Sequence, residues 1–216
     1  MAIPDHVLVR NAASLWDQAT HHPFLDALAA GSLVEDAFRR WLAQDYLFAK
    51  DLMAFQAILL AKAPRDCHKS LIGGLAALEK EMEWFESHAV RLQLNLDIPP
   101  HPTCRRYTDF LMRCAYTQPQ PVLLAILFGV EAAYLAAWNA LRPSGPYAEF
   151  IERLARTLSR MWQCLAGLPS DIPMGQRRSI STKCSCTSGS SGRCRGRAEC
   201  CMTRSGRRTW AWRVPA

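Results

Sequence analysis

The chain has 216 residues and a net charge of +7, enough length for one domain with a substantial core and no demand for a second. The charge is uneven: residues 1–164 carry 16 Lys+Arg against 17 Asp+Glu, whereas residues 165–216 carry 10 against 2. With no cationic stripe in the first part, a nucleic-acid-binding domain is excluded as a reading of it.

In chain order, Met-Ala-Ile-Pro-Asp-His opens without a basic region leading into an apolar run, so no secretory leader is expected and the cytoplasmic compartment is the default. Prolines then punctuate the chain cleanly. None falls between Pro23 and Pro64, between Pro64 and Pro99, or from Val122 to Arg142. The windows they leave carry helical periodicity, and Asn-Gly or Asp-Gly hairpin signals are absent. Helices are expected at about 7–19, 22–30, 34–63, 66–95, 103–117, 119–141 and 147–165. Gly31-Ser32 closes one of them, and Glu35 and Asp36 suit the start of the next. Gly73-Gly74 falls inside a helical window, where each glycine costs about 1 kcal/mol relative to alanine; close approach of another helix would explain the pair. The fold class is all-α, a bundle with its polar groups turned inward.

Residues 121–141 read PVLLAILFGVEAAYLAAWNAL, and Glu131 is the only charge among them. The segment is long enough to span a bilayer, but a charge at its middle and Trp138-Asn139 near one end favour a buried core helix. No membrane partner is expected. Asp45 lies in a comparable apolar stretch, FRRWLAQDYLFAKDLMAFQAILLA. An ionised carboxylate among hydrophobic groups is costly unless it is paired, hydrogen-bonded or kept neutral. Two such acids in one bundle point to a polar pocket.

After about residue 164 the character changes. GQRRSISTKCSCTSGSSGRCRGRAECCMTRSGRR holds five of the nine cysteines and no apolar period, so it cannot offset its ordering entropy. The expected division is a helical domain over residues 1–164 and a basic tail over 165–216. The tail has three readings: a metal-binding segment using Cys184, Cys186, Cys194, Cys200 and Cys201, a disordered basic segment, or a frameshifted or alternatively spliced one. Paired CxxC motifs and histidines are both missing from it.

His22-Pro23-Phe24, Gly31-Ser32-Leu33, Phe38, Trp41-Leu42 and Gln44-Asp45-Tyr46 together resemble the opening of the TenA (thiaminase II) family. The resemblance continues through Leu78-Glu79-Lys80-Glu81 with Trp84-Phe85, Arg106-Tyr107-Thr108 and Glu131-Ala132-Ala133-Tyr134, covering roughly residues 8–153. It implies the haem-oxygenase-like all-α fold, no cofactor, and a homo-oligomer. It also implies a hydrolase of thiamin salvage, which cleaves an amine or thiazolium from an aminopyrimidine and releases hydroxymethylpyrimidine. Much of the family uses a cysteine nucleophile near the sixth helix. Here no cysteine lies between Cys114 and Cys164, so the chain resembles the subgroup with a glutamate there, at Glu131. Cys114, a helix earlier, reads as a small buried hydrophobe. The substrate stays open among thiamin, an aminopyrimidine and its formylated form.

Within that resemblance Glu131 is the candidate general acid/base, its pKa raised by burial; the alternative is a structural carboxylate paired with Arg113. Asp45 is the candidate acceptor for the pyrimidine amino group, against a plain buried acceptor or a salt-bridged surface acid. Phe48, at i+3 from Asp45, is read either as a ring-stacking residue or as core. Tyr134 and Trp138, at i+3 and i+7 from Glu131, are candidate pocket walls. Tyr107 is a candidate substrate contact or a half-buried structural tyrosine. The family's further glutamate in its last helix has no counterpart, since only Asp171 and Glu199 follow Glu152. The last helices therefore look missing, and both an active enzyme and a non-catalytic pyrimidine-binding remnant stay open. A di-iron or quinone-type oxidase on the same fold is the other alternative, with Glu81, His88 and Glu131 as its ligands. Glu81 and His88 are read in preference as a solvated face, and no metal is expected.

Overall fold

The computed structural model describes Ile3, residues 6–165 and Leu168, and all expectations for the tail beyond Leu168 lie outside these residues. Among the described residues eight α-helices follow one another: α1 (Val7–Arg10), α2 (Ala13–Thr20), α3 (Pro23–Ala29), α4 (Glu35–Lys62), α5 (His68–Arg91), α6 (Pro102–Thr117), α7 (Gln120–Asn139) and α8 (Ala148–Leu165). Short 3-10 turns at Arg65–Cys67 and Gly145–Tyr147 lead into α5 and α8. Among the described residues no strand is formed. The class is all-α, as expected, and the boundaries differ in two places. The helix expected at 7–19 is broken at Ala12, which leaves helical geometry with φ −131° and ψ 31°. The helix expected to reach residue 95 stops at Arg91, and Gln93 turns the chain with φ 50°.

Three of the helix starts share a device that the helix pattern did not foretell. His6, His22 and His101 each sit just before a helix, and each Nδ1 accepts a backbone N–H two residues on, at 3.3, 3.1 and 3.2 Å. The imidazole thus does what Ser or Asp commonly does at this position. Pro23 and Pro102 follow at the first helical position, where a missing N–H costs nothing.

One hydrophobic core takes residues from every helix between α3 and α8. α4 packs on α5, α6 and α7, α8 packs on both α5 and α7, and α2 covers part of α7. The aromatic centre gathers around Phe150 of α8, which stacks on Trp84 at 4.6 Å between ring centroids and meets Phe38 edge-on at 5.0 Å. α7 is long and apolar enough to cross a membrane by length and composition, but half of its most apolar stretch is buried inside the bundle.

Glycines mark the closest approaches. A Cβ at Gly74 would lie 2.9 Å from Leu165 Cδ2, and one at Gly73 would lie 3.3 Å from Cys164. The pair therefore lets α8 lie directly on α5. Gly31 and Gly145 both adopt the left-handed conformation, φ 69° and 70°, and a Cβ on either would sit 3.1 Å from the other's Cα. Here the α3–α4 and α7–α8 loops cross backbone to backbone.

Candidate active site

Four helices turn polar side chains into the bundle. Asp45 and Gln56 come from α4, Glu81 from α5, Tyr107 from α6, and Glu131 and Tyr134 from α7. Asp45, Glu81 and Glu131 are only 3, 3 and 4% exposed, and Gln56 is wholly buried. Among the described residues no lysine or arginine pairs with these acids. The two ion pairs among the described residues, Glu35–Arg39 and Glu152–Arg156, are both surface pairs within one helix.

Asp45 is tied to Tyr134, whose hydroxyl donates to Oδ2 at 2.5 Å. Oδ1, equally buried, has no hydrogen-bond partner among the described residues. Burial pushes the Asp45 carboxyl up to about 7, and the Tyr134 hydroxyl holds it from rising further. Glu131 accepts one long bond, from Gln56 Nε2 at 3.4 Å, and burial raises it to about 8. Glu81 is held well above the ordinary carboxylate range by burial first and then by the charges of Asp45 and Glu131. Three acids thus share one low-dielectric space. Lost hydration favours the protonated form of each, and at Glu81 the charges of Asp45 and Glu131 add to it.

The candidate aromatic residues pack against one another. Phe48 and Tyr107 stack on each other, with centroids 5.1 Å apart and planes at 18°. That spacing leaves no room for a heterocycle between them. A planar ligand has to lie on one outer face of the pair or part it. Trp138 belongs to the aromatic core, 5.2 Å from Trp41, and meets Tyr134 edge-on at 5.9 Å. Burial raises the Tyr107 hydroxyl, helped by the charge of Glu131.

Two expectations are corrected. Arg113 is exposed and lies over the Phe110 ring at 5.9 Å, so it does not pair with Glu131. Glu81 is not on a solvated face. It is buried, and its neighbours Lys80, Glu79 and Glu83 take the solvent side of α5. His88, two turns on, is held aside by Trp84: its Nδ1 bonds the Trp84 carbonyl at 3.1 Å, and its ring meets the indole edge-on. Among the described residues no three of His, Cys, Asp or Glu converge closely enough to hold a metal ion.

Sequence reasoning passed over Gln56 altogether. The signal was present, because positions 45, 48, 52 and 56 follow the i, i+3, i+7, i+11 spacing of one helix face. Two surface grooves of about 530 and 500 Å³ run along the seam of α5 and α8 and meet at Trp84 and Arg153. None of the buried acids lines either.

Residues 9–160 match the sequence profile of the TENA/THI-4/PQQC family. The chain belongs to that family. It is 35% identical over 127 residues to a probable bifunctional TENA-E protein of Glycine max, spanning 56% of each chain. It is 28% identical over 114 residues to an aminopyrimidine aminohydrolase of Halalkalibacterium halodurans, spanning 50% of this chain and 51% of that one. The chain thus spans about half the length of these curated relatives. Among solved structures, a TenA homologue from Pyrococcus furiosus superposes with a TM-score of 0.69 at 26% identity, over 79% of this chain and 87% of that one. A TenA homologue from Pyrococcus horikoshii, at 21% identity and a TM-score of 0.67, shows the same helical fold. The TENA/THI-4/PQQC match stops at residue 160, short of the basic tail.

Proposed function

We propose that the chain acts in thiamin salvage as a thiaminase II-like aminopyrimidine aminohydrolase, with Glu131 moving the proton and Asp45 anchoring the pyrimidine. The observation that supports this most is the buried Asp45 oxygen that has no hydrogen-bond partner among the described residues, beside a buried Glu131 that no cation pairs there. An acceptor-only carboxylate oxygen suits an amino group on a heterocycle edge. Tyr134 fixes the other oxygen, so the carboxyl cannot rotate away.

In the hydrolysis, ionised Glu131 takes a proton from water as the water oxygen bonds the methylene carbon beside the ring. The C–N bond breaks, and the same carboxyl returns the proton to the departing amine. Aminomethylpyrimidine and water become hydroxymethylpyrimidine and ammonia, with no redox change. A carboxyl lifted toward neutrality suits both halves of this transfer.

The test is incubation of the intact chain with 4-amino-5-aminomethyl-2-methylpyrimidine, with ammonia and hydroxymethylpyrimidine measured together. Equimolar appearance of both products is the expected result. Binding without release of either identifies a pyrimidine-holding remnant instead.

We further propose a homo-oligomer. Between its ends α7 is apolar apart from its inward-facing Glu131 and Tyr134, yet Gly129 is exposed and Val130 and Ala133 are only half-buried. Apolar helix faces are normally covered. Sedimentation velocity should give a species larger than 24.3 kDa; a monomer at tens of micromolar would remove the idea. The described cysteines, Cys67, Cys104, Cys114 and Cys164, are all unpaired, which fits the reducing cytoplasm.

A further inference from the structure

Gln56 is wholly buried on the face of α4 that carries Asp45, Phe48 and Leu52. Its Nε2 donates to Glu131 Oε1 at 3.4 Å, and its own Oε1 has no hydrogen-bond partner among the described residues. An amide with one end unsatisfied is not held by hydrogen bonding alone, so packing has to set its direction. The seat is Gly74 on α5. A Cβ there would lie 3.2 Å from Gln56 Oε1 and 2.9 Å from Leu165 Cδ2. The amide oxygen occupies the space a side chain at Gly74 would need, Leu165 of α8 packs against the same spot, and the nitrogen faces Glu131.

We propose that Gln56 is the positioning residue for Glu131: its amide, seated by Gly74 and Leu165, aims the carboxyl and favours its ionised form. The inference rests on the proton-transfer role given to Glu131 above. An N–H donor stabilises a carboxylate more than a neutral acid, and so works against burial. Among the described residues it is the one hydrogen bond that Glu131 receives. The titratable groups within electrostatic reach of Glu131 are Glu81 from α5 and Tyr107 from α6. Asp45 from α4 acts on Glu81, and Tyr134 shares α7 with Glu131. α8 turns Leu154, Leu158, Met161 and Leu165 inward, and the buried residue of α2 is Thr20. Neither of those two helices adds a charge.

The experiment is a carboxyl NMR titration of the full chain carrying ¹³C-labelled glutamate, with the Glu131 signal identified by its loss in Glu131→Gln. Gln56→Met keeps the length and removes the donor. It should raise the Glu131 midpoint by about one pH unit, the scale of one hydrogen bond to a charged acceptor. Gly74→Ala leaves both polar groups in place and dislodges the amide, and should move the midpoint the same way by less. In turnover, Gln56→Met should carry the acidic limb of kcat upward by the same interval with KM little changed. A purely structural Gln56 would lower the melting temperature and leave the midpoint where it was, and that result, or a downward shift, overturns the proposal. If Gly74→Ala does not fold, the Met variant decides alone. Because the titration needs no turnover, the two failures are distinguishable: an inactive wild type counts against the hydrolase reading, and an unmoved Glu131 midpoint counts against the positioning by Gln56.

Discussion

Glu131→Gln should cut kcat for aminopyrimidine hydrolysis by about 10²–10⁴-fold, the usual share of a general acid/base, while pyrimidine affinity changes little. The amide preserves the size of the side chain and the hydrogen bond with Gln56, but it can neither take a proton from water nor give one to an amine. Steady-state kinetics alongside calorimetric binding checks both halves. Retained turnover would remove Glu131 from the chemistry and leave it a buried structural acid. Equal loss of binding and rate would mean that the carboxyl contacts the pyrimidine rather than the reacting bond.

The same buried acids should make the fold lose stability as pH rises. In the unfolded chain these carboxyls ionise near pH 4; in the fold Asp45 ionises near 7, Glu131 near 8, and Glu81 well above the ordinary range. Between those limits the native state holds protons that the unfolded chain has already released. The contribution is therefore complete below about pH 4 and drains away as pH climbs through the native values. Its slope is about 1.4 kcal/mol per pH unit for each carboxyl still protonated only in the fold. Urea denaturation at pH 5, 6, 7 and 8 should show a monotonic fall. Glu131→Gln should flatten the curve and exceed the wild type at pH 8 by about 2–4 kcal/mol. A curve that is flat or rising over this interval would mean that the acids are hydrated or paired in solution.

How much of this was legible in the chain depends on which physical signal each residue leaves. The helices were readable because proline and the apolar period speak locally. Glu131 stood out for the same reason, as a lone charge in a long apolar window. Glu81 did not. In LEKEMEWFE it sits among four other charges, and only the packing of α5 against α4 decides which acid points inward. Gln56 carries no charge to flag, and its importance arises from two residues on other helices, Gly74 and Leu165. The stacking of Phe48 on Tyr107 joins α4 to α6, a tertiary relation that spacing along one helix cannot express. The histidine caps were visible as His-Pro pairs at residues 22–23 and 101–102, but the periodic pattern had no use for them.

The crossing of Gly31 and Gly145 fixes more than a corner of the molecule. Ser144 binds the Ala29 carbonyl through its backbone N–H at 2.9 Å and its hydroxyl at 2.8 Å, and the Tyr147 hydroxyl reaches the Leu33 carbonyl at 3.2 Å. The turn that launches α4, and so sets the height at which Asp45 meets Tyr134, is clamped by groups made more than a hundred residues later. A nascent chain leaving the ribosome can wind its early helices, yet this latch onto the first third of the polypeptide closes only once Ser144 and Tyr147 have been synthesised.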